Sequence, residues 1–440
     1  MRLRLFILTF LPLWVLSCSE GIEKSIDEPT EEIIDEPAIE ITDNELTPIE
    51  LTTATRSFVE KGNKFAFRLL QEVAEKEDGN FMISPLGVTL AFGMVLEAAE
   101  EGEVMDEVCK VLGFEGGSRD EIRDYCTTML ERLPGMDKLS KVALANMALV
   151  NSDFGAVSPS FSSTVSGYHN ALVKGMSFNT PTSVVDYVNG WAKENTSGMI
   201  ENAIKADDIN SSTTAILSNA LYFDGKWKSR FKKSDTSNEA FTVTGGSIKK
   251  IEMMKQENKF SYRWFFGNQT LPEGGMLRLP YGNGSFAMDV YLPYDEGKKV
   301  EDILALLAEN KLKFEDWSVP KTDLWFPKFE LKENRIDLKN ILVDMGMGKA
   351  MEGNRGWLSL FDKEEIKSCV DNVFQNTAIK VEEEGTEASA VTVITMKEGA
   401  AIGYNPQEQK LTFHCDHPFI YTITETSTGA ILFAGVFRGE

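Results

Sequence analysis

A chain of 440 residues, 42% of them hydrophobic and 26% charged, holds ample material for a large core, in one domain or in two or three. Its formal charge of -23 argues against a nucleic-acid partner, because a phosphate backbone calls for basic surface. Besides Cys18 the cysteines are Cys109, Cys126, Cys369 and Cys415; no C-x-x-C pair occurs, so a zinc site is disfavoured. Four scattered thiols do not make a disulfide framework and read as buried or free, with one disulfide at most.

The first elements in chain order are an export signal and a tether. Arg2 and Arg4 precede an apolar run from Leu5 to Leu16 that is too short for a membrane span. It ends in Val15-Leu16-Ser17-Cys18, which resembles the lipobox of bacterial lipoproteins. That resemblance implies cleavage before Cys18 and lipid attachment to it, so residues 1–17 are expected to be removed. Acyl chains on Cys18 would hold the protein at a bacterial cell envelope, at the outer membrane or cell surface. Ser19 to Glu50 holds twelve acidic residues and one lysine, Lys24, with Pro29, Pro37 and Pro48 interspersed. Such a segment buries too little apolar surface to fold, so residues 18–52 are expected to form an extended tether.

The folded part is expected over 53–440. Residues 56–112 are read as helical, with Phe58, Phe65, Phe67, Leu69 and Leu70 on one face and a break at Asp78-Gly79-Asn80. Ser84 and Pro85 make a cap and first turn for a helix over Leu86–Ala99. Further helices are expected over Glu103–Leu112, ended by Gly113, and over Arg119–Leu133, Pro159–Tyr168 and Thr182–Asn195. Strands are expected over Val142–Val150 and the apolar run Thr213–Phe223. Hairpins follow at Phe241–Phe260 and at Met276–Pro293, the latter turning on Gly282-Asn283-Gly284. A helix over Val300–Glu309, a strand over Thr322–Leu331 and a helix over Leu338–Met345 come next. The chain ends in strands at Leu411–Phe413, Phe419–Glu425 and Ala430–Phe437. Helices first and strands later give an α+β fold with more than one antiparallel sheet. No internal repeat or linker interrupts it, so one large domain is expected.

Catalytic constellations are missing. No G-x-S-x-G elbow, Walker loop or dinucleotide fingerprint occurs, and there are three histidines, His169, His414 and His417. Phe413-His414-Cys415-Asp416-His417-Pro418 invites a metal or Cys-His reading. In a strand, however, His414 and His417 would face opposite sides. Neither an enzyme nor a bound metal or cofactor is expected.

One stretch stands apart. After Glu382-Glu383-Glu384-Gly385, the chain alternates from Thr386 with a period of two. One face carries Thr386, Ala388, Ala390, Thr392 and Ile394; the other carries Glu387, Ser389, Val391, Val393 and Thr395. Small residues on one face suit a strand that slides beneath other elements. Gly385 supplies freedom where the chain would bend. With Val373-Phe374-Gln375-Asn376-Thr377 before it, this stretch resembles the strand and proximal hinge of the serpin reactive-centre loop. Asp416-His417-Pro418-Phe419 and Gly429 to Gly435 are similar to that family's C-terminal signature. Asn80 to Pro85, Ser218-Asn219-Ala220-Leu221-Tyr222-Phe223-Asp224-Gly225-Lys226-Trp227 and Met345-Gly346-Met347 agree in order.

The resemblance implies three β-sheets, eight or nine helices and an exposed reactive-centre loop on a metastable fold. It implies a suicide inhibitor of serine proteases, in which the cut loop inserts into the large sheet and traps the acyl-enzyme as a covalent complex. The hinge would be Glu383, Glu384, Gly385, Thr386, Glu387, Ala388, Ser389, Ala390, Val391 and Thr392. Ser84, Asn219, Trp227 and Gln375 would serve the region where the sheet opens. Gly87 stands where the family usually has serine, and Gln375 where many members have histidine. Family spacing places the scissile bond at Gly399-Ala400, which suits elastase-like or subtilisin-like enzymes. The segment to Pro418 is longer than in common members, so the bond could fall instead at Lys397-Glu398, which suits a trypsin-like enzyme, or beyond Ala401. The protein would act as a monomer. The competing expectation is a non-inhibitory serpin with a binding or chaperone-like role.

Overall fold

A computed structural model describes residues 44–267, 270–294, 299–352, 356–386 and 410–439. The expected signal, Cys18 and most of the tether lie outside the described residues. Residues 44–52, assigned to the tether on composition, instead lie against the folded part. Asn44 Nδ2 donates to the Met136 carbonyl at 2.9 Å, Ile49 N donates to Ser427 Oγ at 2.9 Å, and Ile49 is buried. One buried isoleucine and the hydrogen bonds of Asn44 outweigh the acidic composition of their neighbours.

Helix α1 (Thr53–Ala74) is capped by Thr52 and buries Phe58, Phe65, Leu69 and Leu70. Phe67 is only half-buried, because two positions along a helix turn a side chain away from Phe65; its ring meets Tyr291 edge-on. The break at Asp78-Gly79-Asn80 leads to a strand that the pattern did not reveal, β1 (Phe81–Ile83), too short for any periodicity. Helix α2 (Pro85–Ala98) follows, with Ser84 as N-cap and Pro85 in its first turn. It is buried nearly all round, so it forms the centre of the molecule rather than a surface layer. Helix α3 (Glu103–Leu112) ends at Gly113, whose φ of +90° is a left-handed cap. Helix α4 (Arg119–Arg132) opens with a Ser118–Glu121 capping box. Beyond them come α5 (Pro159–Tyr168), α6 (Pro181–Asn195), α7 (Val300–Ala308), α8 (Lys339–Leu342) and α9 (Gly348–Glu352).

The described strands form four hydrogen-bonded groups. The first is seven-stranded, in the order β1, β17 (Ile431–Phe437), β16 (Phe419–Glu425), β9 (Phe286–Pro293), β8 (Gly274–Pro280), β7 (Ser261–Phe266) and β10 (Lys313–Phe314). The second runs β15 (Leu411–His414), β11 (Lys321–Pro327), β6 (Ile248–Lys259), β5 (Ser237–Thr242). The third runs β14 (Gly385–Thr386), β4 (Ala215–Lys226), β2 (Ser140–Asn151), β3 (Ala171–Met176), and the fourth is β12 (Phe329–Asp337) with β13 (Phe374–Val381). The expected strand Thr322–Leu331 is therefore two strands in different groups, with the chain changing sheet at Lys328. Strand β3 was also not foreseen; its burial does not alternate strictly. The three expected sheets become four groups because the third and fourth, which lie side by side, share no ladder between β4 and β13 among the described residues.

Candidate functional site at the gap between two strands

Strand β14 occupies one end of the space between β4 and β13. The chain leaves β13 at Val381 and reverses through a tight turn, with Glu382 N donating to the Gly385 carbonyl at 2.8 Å and Gly385 N to the Glu382 carbonyl at 3.2 Å. Gly385 and Thr386 then pair antiparallel with Lys226 and Gly225. Strands β4 and β13 therefore run parallel, with the beginning of an antiparallel strand between them. Gly385 is required twice over. Its φ is +152°, and a Cβ there would lie 2.2 Å from the Gly225 carbonyl oxygen.

The turn is bonded on all sides. Trp227 N donates to the Glu384 carbonyl at 3.0 Å, Phe231 N to the Glu383 carbonyl at 2.9 Å, and Trp227 Nε1 to the Glu382 carbonyl at 2.9 Å. The Trp227 ring stacks on Tyr281 with centroids 4.4 Å apart, which fixes its N–H. The carboxylate of Glu383 is buried. It accepts from Thr236 Oγ1 at 2.8 Å and lies 3.1 Å from Lys328 Nζ. Burial alone would push its pKa up, but a backbone N–H, Thr236 and Lys328 together hold the carboxyl below its ordinary value.

Below β14 no described residue fills the space between β4 and β13. It narrows between Leu221–Phe223 and Ala378–Ile379, then opens into a cavity of about 380 Å³. Leu217 and Asn219 of β4, Gln375 of β13, Trp191 of α6, Gly87 of α2 and its N-cap Ser84 are among the groups lining it. This explains why Thr213–Phe223, read as a buried strand, is only half-buried from Ala215 to Asn219.

The four residues expected at the sheet opening occupy two stations. Ser84 and Gln375 are joined directly, Ser84 N donating to Gln375 Oε1 at 2.7 Å and Gln375 Nε2 to the Ser84 carbonyl at 2.8 Å. Ser84 Oγ donates to the Leu432 carbonyl at 2.8 Å and accepts from Gly87 N at 3.1 Å. Asn219 lies beside them but bonds away, its Nδ2 donating to Asn146 Oδ1 at 2.9 Å; Asn146 Nδ2 in turn donates to the His169 carbonyl at 2.7 Å. Gly87 leaves the space in which this station closes. A Cβ there would meet Asn219 Oδ1 at 2.9 Å and Gln375 Nε2 at 3.3 Å. Trp227, just past the end of β4 and eight residues on from Asn219, is about 26 Å away and belongs with the turn at Glu382–Gly385 instead.

Of the expected hinge, Glu383, Glu384, Gly385 and the backbone of Thr386 are described. Glu387, Ala388, Ser389, Ala390, Val391 and Thr392 lie outside the described residues, as do Lys397-Glu398 and Gly399-Ala400. Thr236, Tyr281, Lys328 and Asn146 were not foreseen. Each reaches the site from a distant part of the chain, and no local pattern marks such partners.

The His-Cys segment takes a different form from the expected strand. Strand β15 stops at His414, which stacks on Trp325 at 4.1 Å, whereas His417 sits between Asp416 and the Pro293 carbonyl. Cys415 is fully buried, which pushes its thiol well above the ordinary range and away from the nucleophilic thiolate. Cys109, Cys126 and Cys415 are buried free thiols and Cys369 is an exposed one.

Comparison with known proteins agrees with this architecture. Residues 60–438 match the family profile described as serpin (serine protease inhibitor). Serpin B3 of Homo sapiens is 28% identical over 400 residues, covering 87% of this chain and 99% of that protein. Serpin48 of the insect Tenebrio molitor superposes with a TM-score of 0.75 at 24% identity, covering 89% of this chain and all of that one. AtSerpin1 of Arabidopsis, in a conformation described as native and stressed, gives 0.72 at 24% identity, covering 88% and 98%. The chain belongs to the serpin family.

Proposed function

We propose that the chain inhibits serine proteases as a suicide substrate, using the segment after Gly385 as bait and the gap between β4 and β13 as the trap. The observation that carries this reading is the pairing of Gly385 and Thr386 with Lys226 and Gly225 at the head of a gap that no other described residue fills. Continued without a break, that register would set Ala388 opposite Phe223, Ala390 opposite Leu221, Thr392 opposite Asn219 and Met396 opposite Ala215. Phe223 and Leu221 belong to the main core, so the small face of the segment would turn inward. Twelve residues, 385 to 396, would match the whole of β4.

In the reaction, the protease serine attacks the carbonyl carbon of the residue before the cut, Gly399 by family spacing. The peptide bond to Ala400 breaks, Ala400 leaves as the amine, and an ester joins the loop to the protease. Insertion of the freed strand then draws the ester away before water can attack it. Each new ladder bond adds about 1 kcal/mol against an ordering cost of similar size. Burial of the apolar side chains of the inserted strand, at about 25 cal/mol per Å² removed from water, therefore drives the step. The chain itself contributes no catalytic group to this scheme.

The cell-envelope reading belongs to the same proposal. Cleavage before Cys18 and its acylation would display the inhibitor on a tether outside the cell, as a monomer. Mixing the purified protein with elastase, trypsin and subtilisin tests inhibition. The expected product is a covalent complex that survives denaturing electrophoresis. Cleavage by every protease with no complex, and with the proteases left active, would overturn the reading.

A further inference from the structure

The described chain stops at Thr386 and resumes at Lys410, and both edges of that interruption are basic in a chain of charge -23. At the first edge, Lys228, Lys232 and Lys233 follow β4 directly. All three are exposed, and only Lys233 has an acidic neighbour, Glu384 at 3.9 Å. Lys228 and Lys232 have no ion-pair partner among the described residues. At the second edge, three neighbouring strands bring lysines abreast. Lys321 of β11 is in register with Lys259 of β6, and the parallel pairing of Thr322 with Leu411 sets Lys410 beside Lys321. At about 4.8 Å between strands, the row spans about 10 Å. Glu257, one row inward, bridges Lys321 and Lys410, and Asp323 lies 3.4 Å from Lys410. Lys259 has no ion-pair partner among the described residues. The two edges are joined through β6, where Gln256 Nε2 donates to the Ser229 carbonyl at 3.1 Å.

Glu257 and Asp323 tie Lys321 and Lys410 into the sheet, so ion pairing accounts for those two, whereas Lys259 beside them, like Lys228 and Lys232, has no counter-charge among the described residues. Positive charge gathered at one end of an acidic protein gives it an oriented field. Within the screening length of about 8 Å at physiological salt, a docking partner meets six lysines against the three carboxylates paired with them, Glu257, Asp323 and Glu384, a local excess of positive charge.

We propose that these six lysines form an exosite selecting serine proteases whose surface around the active-site cleft is rich in carboxylates. This rests on the reading of the segment between Thr386 and Lys410 as protease bait. The collar would speed the encounter and align the cleft with the bait, leaving the later chemistry unchanged.

The test measures how fast intact chain is consumed, as complex and cleaved product together, by one protease with an acidic cleft rim and one with a basic rim. For the unmodified protein, the rate with the acidic enzyme is expected to fall steeply with added salt. The charge reversals K232E and K259E together are expected to lower that rate about tenfold at low salt and to raise it for the basic enzyme, with the melting temperature unchanged. Flat salt dependence in the unmodified protein, or equal rates for the variant with both enzymes, would overturn the exosite. The division of product between complex and cleaved chain reports separately on inhibition. A protein that is only cleaved still shows or lacks the collar through its consumption rate.

Discussion

Lys328 Nζ lies 3.1 Å from Glu383 Oε2, and it does so at the point where the chain crosses from β11 to β12. The lysine thus ties the change of sheet to the turn that leads into Gly385 and Thr386. The carboxylate is only 4% exposed, so removing its partner would leave a nearly uncompensated buried charge. Lys328→Met is expected to destabilise the native form by about 3 kcal/mol in urea unfolding. Glu383→Gln keeps the shape and isolates the charge. Because the folded pKa of Glu383 is depressed, its stabilisation is complete above the unfolded value near 4.5 and disappears as pH falls through the folded value. The stability difference between native protein and Glu383→Gln should therefore hold steady at neutral pH and shrink below about pH 4.5. A difference that grows on acidification would contradict the pairing.

Gln375 holds both backbone groups of Ser84 at the start of α2. A leucine there would fill similar volume but strand a donor and an acceptor in a buried place. Gln375→Leu is expected to cost about 2 kcal/mol of native stability. It should also hasten opening between β4 and β13. Hydrogen exchange at the amides of Asn376 and Thr377 would report that directly, and unchanged protection would mean that Gln375 is not part of the latch.

Much of the fold was legible because its signals are local. Ser84-Pro85, Gly113 and the Ser118–Glu121 box mark helix ends by the hydrogen bonds they make to the next turn. The hairpin on Gly245-Gly246 is fixed by two residues with positive φ. The turn at Gly385 agrees with the freedom expected of a glycine there, while the alternating small residues that follow lie outside the described residues. What the sequence could not show were features made by two distant segments. The gap itself is one: it exists because β4 and β13 do not pair, and neither strand carries a mark of that. Residues 44–52 are another, since one buried isoleucine decides their path against twelve carboxylates in the surrounding segment. The step from Thr322 to Leu331 looked continuous because both halves are good strands. Only the bend at Lys328, whose head group is held by Glu383, separates them.

Cleavage of the bait should stabilise the protein. Completing the sheet with an inserted strand is expected to raise the melting temperature by about 5 °C or more, measured by calorimetry before and after limited proteolysis. The same comparison separates the two family roles. A binding or chaperone-like member with a loop that never inserts would show no such rise.

The register that begins at Gly385 makes a sharper prediction, because neighbouring residues would face opposite sides. Ala388 would stand opposite Phe223, which is buried in the main core, and Glu387 opposite Asp224, which is half-exposed. An arginine at the first position would have to enter the core without a partner, at a cost of several kcal/mol, and insertion would lose its race with deacylation. An arginine at the second would remain at the surface. Ala388→Arg is therefore expected to turn the protein into a substrate, cleaved without trapping the protease, whereas Glu387→Arg should still form the covalent complex. Gel quantification of complex against cleaved product for both variants decides it. Equal behaviour of the two would mean that the segment does not enter in this register, and the reverse order would mean that its faces are exchanged.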